Sequence, residues 1–145
     1  MVTPLVRGTC LCAVLFVAAV VLAAPQLAIG NAVDLAPQAQ VKASSSAGPV
    51  GQKYGPQDAV DNNASTWWAA YVKNLPVSFE VRFPEARQLD TMVLLNADNP
   101  TLYSHVKHVT ISFSQGEPIE QDFDNERGPF VVRFEPRQTD VVKLV

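Results

Sequence analysis

Val77, Phe79, Val81 and Phe83 stand at every second position, with Ser78, Glu80 and Arg82 between them. A helix would scatter these apolar side chains around its axis, whereas an extended chain puts them all on one face. The segment therefore predicts a strand with one buried and one wet side. The same period returns in Val109, Ile111 and Phe113, and again in Phe130, Val132 and Phe134. Pro84 and Pro136 are expected to end their strands, with new ones running from Leu89 to Leu95 and from Val141 onward. Met92 to Leu95 is apolar throughout and predicts a central strand covered on both sides, or one covered by the Trp-bearing loop. Gln115-Gly116 turns the chain into Ile119 to Phe123, the return strand of a hairpin. Gln40 to Ser46 reads as a short first strand after an extended lead-in from Asn31, and Pro56 to Val60 as one helical turn. Helical period does not persist beyond that turn. Strands spaced by about ten residues with turn signals between them indicate an all-β chain, an antiparallel sandwich or jelly roll.

The N-terminus breaks this pattern. Arg7 precedes an apolar run from Cys10 to Ala24, Pro25 follows, and Ala28-Ile29-Gly30 offers small residues for cleavage. That is the form of a secretory signal peptide over residues 1–30, cleaved near Gly30 or Ala32, with the mature domain over 31–145. The alternative is an uncleaved anchor, since Leu11 to Ile29 is almost long enough to span a bilayer, although Pro25 and Gln26 interrupt it. The protein is expected to be secreted or extracytoplasmic, and membrane-bound only if this segment stays in place. Both cysteines, Cys10 and Cys12, lie in the leader, so the mature domain would carry no thiol and no disulfide. The formal net charge is −3 and the arginines are scattered among acids. Nucleic acid is therefore not an expected partner.

Candidate sites follow from residue types. In Tyr54 to Trp68, the oxygens of Asp61, Asn62, Asn63 and Thr66 could face one point, a set that suits a structural Ca2+. The same residues suit an Asx-type turn with Asp61 bonded to nearby amides. Trp67 and Trp68 follow; with Trp68 packed in the core, Trp67 faces the other way, exposed for a ligand or tucked under a neighbouring loop. The loops 47–57, 70–75 and 96–105 are expected near one end of the sandwich. They hold Tyr54, Tyr71, Asn96, Tyr103 and His105, aromatic and polar groups of the kind that recognise a sugar ring. The plain alternative is that the tyrosines are half-buried rim residues. His105 and His108 are three apart and would face opposite sides of a strand. Asn63-Ala64-Ser65 is a glycosylation sequon. Neither a Ser-His-Asp set, a phosphate loop nor a Cys/His cluster is visible in the sequence, so the chain is not expected to be an enzyme.

Leu35-Ala-Pro-Gln-Ala-Gln-Val-Lys-Ala-Ser-Ser45 resembles the opening of discoidin domains, also called coagulation factor V/VIII type C domains. Ala59, Val60, Asp61, Thr66 and Trp68 are similar to their Ala-Val-Asp-Gly, Thr, Trp motif, with Asn62 in place of the glycine. Val81-Arg-Phe-Pro84 and the hairpin from Val109 to Gly116 resemble later landmarks in the same order, over Asp34 to Val145. The resemblance implies a galactose-binding-like jelly roll that is not catalytic. It implies binding of carbohydrate, phospholipid headgroups or proteins through loops at one end. It also implies a structural Ca2+ with oxygens from Asp61 and Thr66. Members of that family carry a further strand after the point matching Val145, so either the chain is truncated or another segment or subunit supplies that strand. The expected function is an exported binding module for a carbohydrate or an extracellular protein, through Tyr71, Asn96, Tyr103, His105 and Trp67. The alternatives are a structural or protein-interaction domain, or the accessory domain of a larger enzyme.

Overall fold

Two long strands organise the fold, β4 over Phe79–Leu94 and β7 over Phe130–Leu144. The structure, a computed structural model, describes residues 18–21, 33–47, 54–63, 65–96, 106–123 and 128–145. The other strands are β1 (Ala18–Val21), β2 (Val33–Asp34), β3 (Gln40–Ala43), β5 (His108–Phe113) and β6 (Ile119–Asp122). They are ordered β2-β1-β4-β7-β5-β6, with β3 also on β4, and every pairing is antiparallel.

The first part of β4, Phe79 to Arg82, pairs with Val141 to Leu144, and its last part, Thr91 to Leu94, pairs with Phe130 to Arg133. Between these stretches the register shifts twice, at Arg82/Arg87 and at Leu89/Thr91. Such irregularities bend a strand, and here they fold the ladder over itself into a β-sandwich. One layer holds β3, the start of β4, the end of β7, and the β5–β6 hairpin. The other holds β1, β2, the end of β4 and the start of β7.

Pro84 and Pro136 were expected to end strands, and they do not. β4 and β7 run through them without interruption, and the stretches expected from Leu89 and Val141 belong to the same two strands. Pro84 falls in the unpaired gap between Arg82 and Arg87, and Pro136 in the gap between Arg133 and Arg137. A proline lacks the N–H that a regular ladder would need, and at a shift in register none is required. The lead-in also differs from expectation, since Ala36–Gln38 forms a 3-10 turn, with the Ala36 amide donating to Asp34 Oδ1 at 2.9 Å. The β3 ladder gives out after Ala43: Ser44 N still donates to Ser78 O, but Ser78 N donates to the Ser44 hydroxyl oxygen at 2.8 Å, and Ser45 O accepts from Trp68.

The alternating residues meet between the layers. Phe79, Val81, Leu89, Met92, Leu94, Ile111, Val132, Val142 and Leu144 are all buried. Within the stretch read as a leader, the described residues are those of β1, which pairs Ala18 with Val93 and Val20 with Thr91. The end of β4 is thus flanked by β1 and β7, matching the expectation of a central strand at Met92. Among the described residues no helix is long and apolar enough to cross a membrane. Cys10, Cys12 and the expected cleavage positions lie outside the described residues.

Candidate functional site

The loop from Tyr54 to Trp68 is held at its C-terminal end. Trp68 is 2% exposed, its Nε1 donates to Ser45 O at 2.9 Å, and its ring lies 4.9 Å from that of Phe79. Trp67 points the other way, half-buried, with its ring 5.3 Å from Tyr54. Pro56–Ala59 forms the expected turn, capped by Asp58 Oδ2 accepting from Gly55 N at 2.8 Å, and Ala59 and Val60 are buried. Tyr54 has φ of 83° and Asn62 φ of 59°. Asn tolerates that left-handed backbone best after glycine, so the turn survives the replacement of glycine by Asn62.

The polar groups of this loop are turned on one another. Asn63 N donates to Asp61 Oδ1 at 2.9 Å, and the Thr66 hydroxyl lies 2.8 Å from Asp61 Oδ2, 3.0 Å from Asp61 Oδ1 and 2.8 Å from Asn63 O. Thr66 N also donates to Asn63 O at 3.0 Å. Asn63 O accepts from the Thr66 amide, while the single Thr66 hydroxyl proton serves either Asp61 or Asn63 O. The carboxylate, carbonyl and hydroxyl converge as the sequence suggests, but as a closed Asx-type turn. Calcium takes six to eight oxygens, typically several of them carboxylates, and among the described residues no cluster of three metal-ligating His, Cys, Asp or Glu side chains exists.

Of the residues expected to meet a ligand, the structure describes Tyr54, Trp67, Tyr71 and Asn96. Tyr71 is exposed, and its hydroxyl donates to Ala47 O at 2.9 Å while Lys73 Nζ sits 5.4 Å from its ring centre. Asn74 Nδ2 donates to Ser45 Oγ at 2.8 Å, tying this turn to the end of β3. Asn96 is buried. Its Oδ1 accepts from Val106 N at 3.1 Å and its Nδ2 faces Val106 O at 3.4 Å, so it closes the base of the loop between β4 and β5. Tyr103 and His105 lie outside the described residues.

The β5–β6 hairpin carries a cluster that sequence reasoning missed. His108 opposes Asp122 in register. Its Nδ1 lies 2.7 Å from Asp122 Oδ1 and its Nε2 2.9 Å from Glu120 Oε2, and the Thr110 hydroxyl donates to the same Glu120 oxygen at 2.8 Å. The hydrogen bond to the Asp122 carboxylate holds the imidazole above its ordinary value of 6.5; desolvation opposes this and Glu120 adds to it. The one available signal was the hairpin itself, since fixing its register pairs these residues across the strands. Next to the cluster, a pocket of about 340 Å³ is lined by Gln121, Asp122, Phe123 and residues 129–132.

A family model described as "Domain of unknown function (DUF7402)" matches residues 34–145. No curated protein matches the chain in sequence. Among solved structures, CpGH89CBM32-5 from Clostridium perfringens, in complex with GalNAc-β-1,3-galactose, aligns with a TM-score of 0.66 at 16% identity over 75% of this chain and 84% of its own. The family 32 CBM from C. perfringens NanJ, in complex with galactose, aligns at 0.62 and 19% identity over 75% and 82%. Chitosan-binding module 2 from the chitosanase/glucanase of Paenibacillus sp. IK-5, in complex with chitotriose, aligns at 0.58 and 18% identity over 77% and 85%. These likenesses show a shared β-sandwich fold. The discoidin family itself stays a resemblance of motifs.

Proposed function

We propose that this chain, which belongs to the DUF7402 family, is a non-catalytic carbohydrate-binding module of an exported protein. The observation that supports this reading most is that its sandwich runs along 84% and 82% of the length of two solved modules that hold sugars. Fold alone does not carry function, so the site must supply the rest. Tyr71 offers an exposed ring fixed by its bond to Ala47 and flanked by Lys73, the equipment of a stacking platform. Export rests on the leader-like pattern of residues 1–30.

The test is a glycan array probed with the full chain, followed by titration of any hit. Binding to at least one glycan, weakened by Tyr71→Ala, supports the reading. Failure to bind any glycan overturns it.

A further inference from the structure

β1 (Ala18–Val21) lies inside the apolar run read as a leader, yet the second layer is built around it. Val20 pairs with Asp34 of β2 on one side and with Thr91 of β4 on the other, and Ala19 and Ala18 extend the second ladder to Met92 and Val93. Among the described residues β2 pairs with β1 alone. Cleavage near Gly30 would therefore take a strand out from between two others. The backbone edge of β4 at Thr91 to Val93 would open beside the buried Met92 and Leu94, and β2 would lose its ladder. An open edge offers unpaired N–H and C=O groups to any extended chain.

We propose that this slot is a strand-acceptor site, filled by Ala18–Val21 while the leader is attached and by an extended apolar segment of a partner protein once it is gone. The proposal rests on the export reading above and not on the sugar.

Two observations define the occupant. The slot is bordered on both sides, by β2 and by β4, so a strand that enters it needs two free edges. Each of β3 to β7 already pairs with another strand. A folded second copy therefore has none of these strands to insert, whereas an unpaired tail or linker of another protein has both edges free. The second observation is register. Residues directly opposite in an antiparallel pair share one face of the sheet. Met92 is 2% exposed and pairs with Ala19, so the partner residue opposite Met92 faces the core. A charge there would be buried without a counter-ion. Main-chain bonds thus supply the affinity, and an apolar residue opposite Met92 supplies the selectivity, as in other strand additions.

The experiment uses the full chain with a specific protease site placed between Pro25 and Gly30, cut after folding. The probe is a labelled peptide of residues 17–22 with lysines at both ends. The cut chain is expected to bind it about tenfold more tightly than the uncut chain, in which the tethered strand competes at high effective concentration. In hydrogen exchange the peptide slows the Thr91 to Val93 amides that face the slot. Val20→Pro in the peptide abolishes binding, because a strand bonded on both sides needs that N–H, and Ala19→Asp weakens it about tenfold. Equal binding to cut and uncut chains, no binding to the cut chain, or binding indifferent to both peptide variants overturns the site. Self-association of the cut chain that protects Thr91 to Val93 gives the slot to a second copy and overturns the partner. An exported chain that keeps residues 18–21 removes the vacated slot and leaves the carbohydrate reading standing. An array without hits removes the sugar and leaves the slot.

Discussion

In the Asp61 loop, the carboxylate, the Asn63 carbonyl and the Thr66 hydroxyl lie within six residues of one another and close on themselves. In the β5–β6 hairpin, Asp122 and Glu120 reach His108 across the strands, 14 and 12 residues away. Both regions are acidic and exposed, yet they differ in what stands behind them. The loop ends in Trp68, packed on Phe79 inside the core, so its polar turn shares the fate of a buried anchor. The hairpin cluster lies on the open face of an outer strand, where water competes for every contact. A satisfied local turn shapes its own segment of chain, whereas a cross-strand cluster ties two strands together at the surface.

The sharpest way to break this contrast is at its buried end. Trp68→Ala removes an indole that is 2% exposed and leaves Ser45 O without its donor. A loss of about 3–5 kcal/mol is expected in urea unfolding. Trp67→Ala, at a half-buried ring, should cost about 1–2 kcal/mol, and equal losses would erase the distinction between the two tryptophans.

Gly128→Ala tests the apolar wall beside the hairpin. The added Cβ meets Phe130 N, the Phe130 ring and Leu94 O, and with a left-handed φ the cost should be about 1–3 kcal/mol. An unchanged midpoint would mean that this junction yields and that Phe130 is not held.

Asp61→Ala opens the local turn and should cost about 1 kcal/mol. For the same loop we propose that calcium adds little, because Asn63 O already accepts from the Thr66 amide and the Asp61 carboxylate from the Asn63 amide. Thermal melts with calcium and with chelator should agree to within about 1 °C. A rise of several degrees would show that the turn opens to admit an ion, making it the more ligand-like of the two regions.

The smallest effect belongs to His108. Its value is raised above 6.5 in the folded chain, so protonation favours folding. That contribution is present in full below 6.5 and is lost as pH rises through the raised value. The cluster is exposed, so the effect is modest. The stability difference between wild type and His108→Gln should shrink from about pH 5.5 to about pH 8.5, and an NMR titration should place His108 above its ordinary value. A titration at or below 6.5 would show that Asp122 and Glu120 do not engage the ring in solution.

Much of the fold was legible because its signals are local. Alternation marked the faces that become Phe79, Val81, Ile111 and Val132, and the Asp-Asn turn marked Asn62 as the left-handed residue. Pro84 and Pro136 misled for the same reason: each breaks a regular ladder locally, and nothing in their neighbours shows that the ladder there has slipped. Asn96 read as a ligand contact because an amide in a loop gives no sign of which backbone it will clasp.

The amino-acid sequence by itself determined that this chain forms antiparallel strands, which face is buried along the alternating stretches of β4, β5 and β7, and that Trp68 anchors a polar turn. These follow from side-chain period and backbone preference, both set within a few residues. Only the tertiary structure decided that two strands pass through their prolines and bend into both layers, that His108 sits between Asp122 and Glu120, and that Phe123 and Phe130 meet over a pocket. Those outcomes depend on register between distant segments, and register is settled by the packing of the whole core.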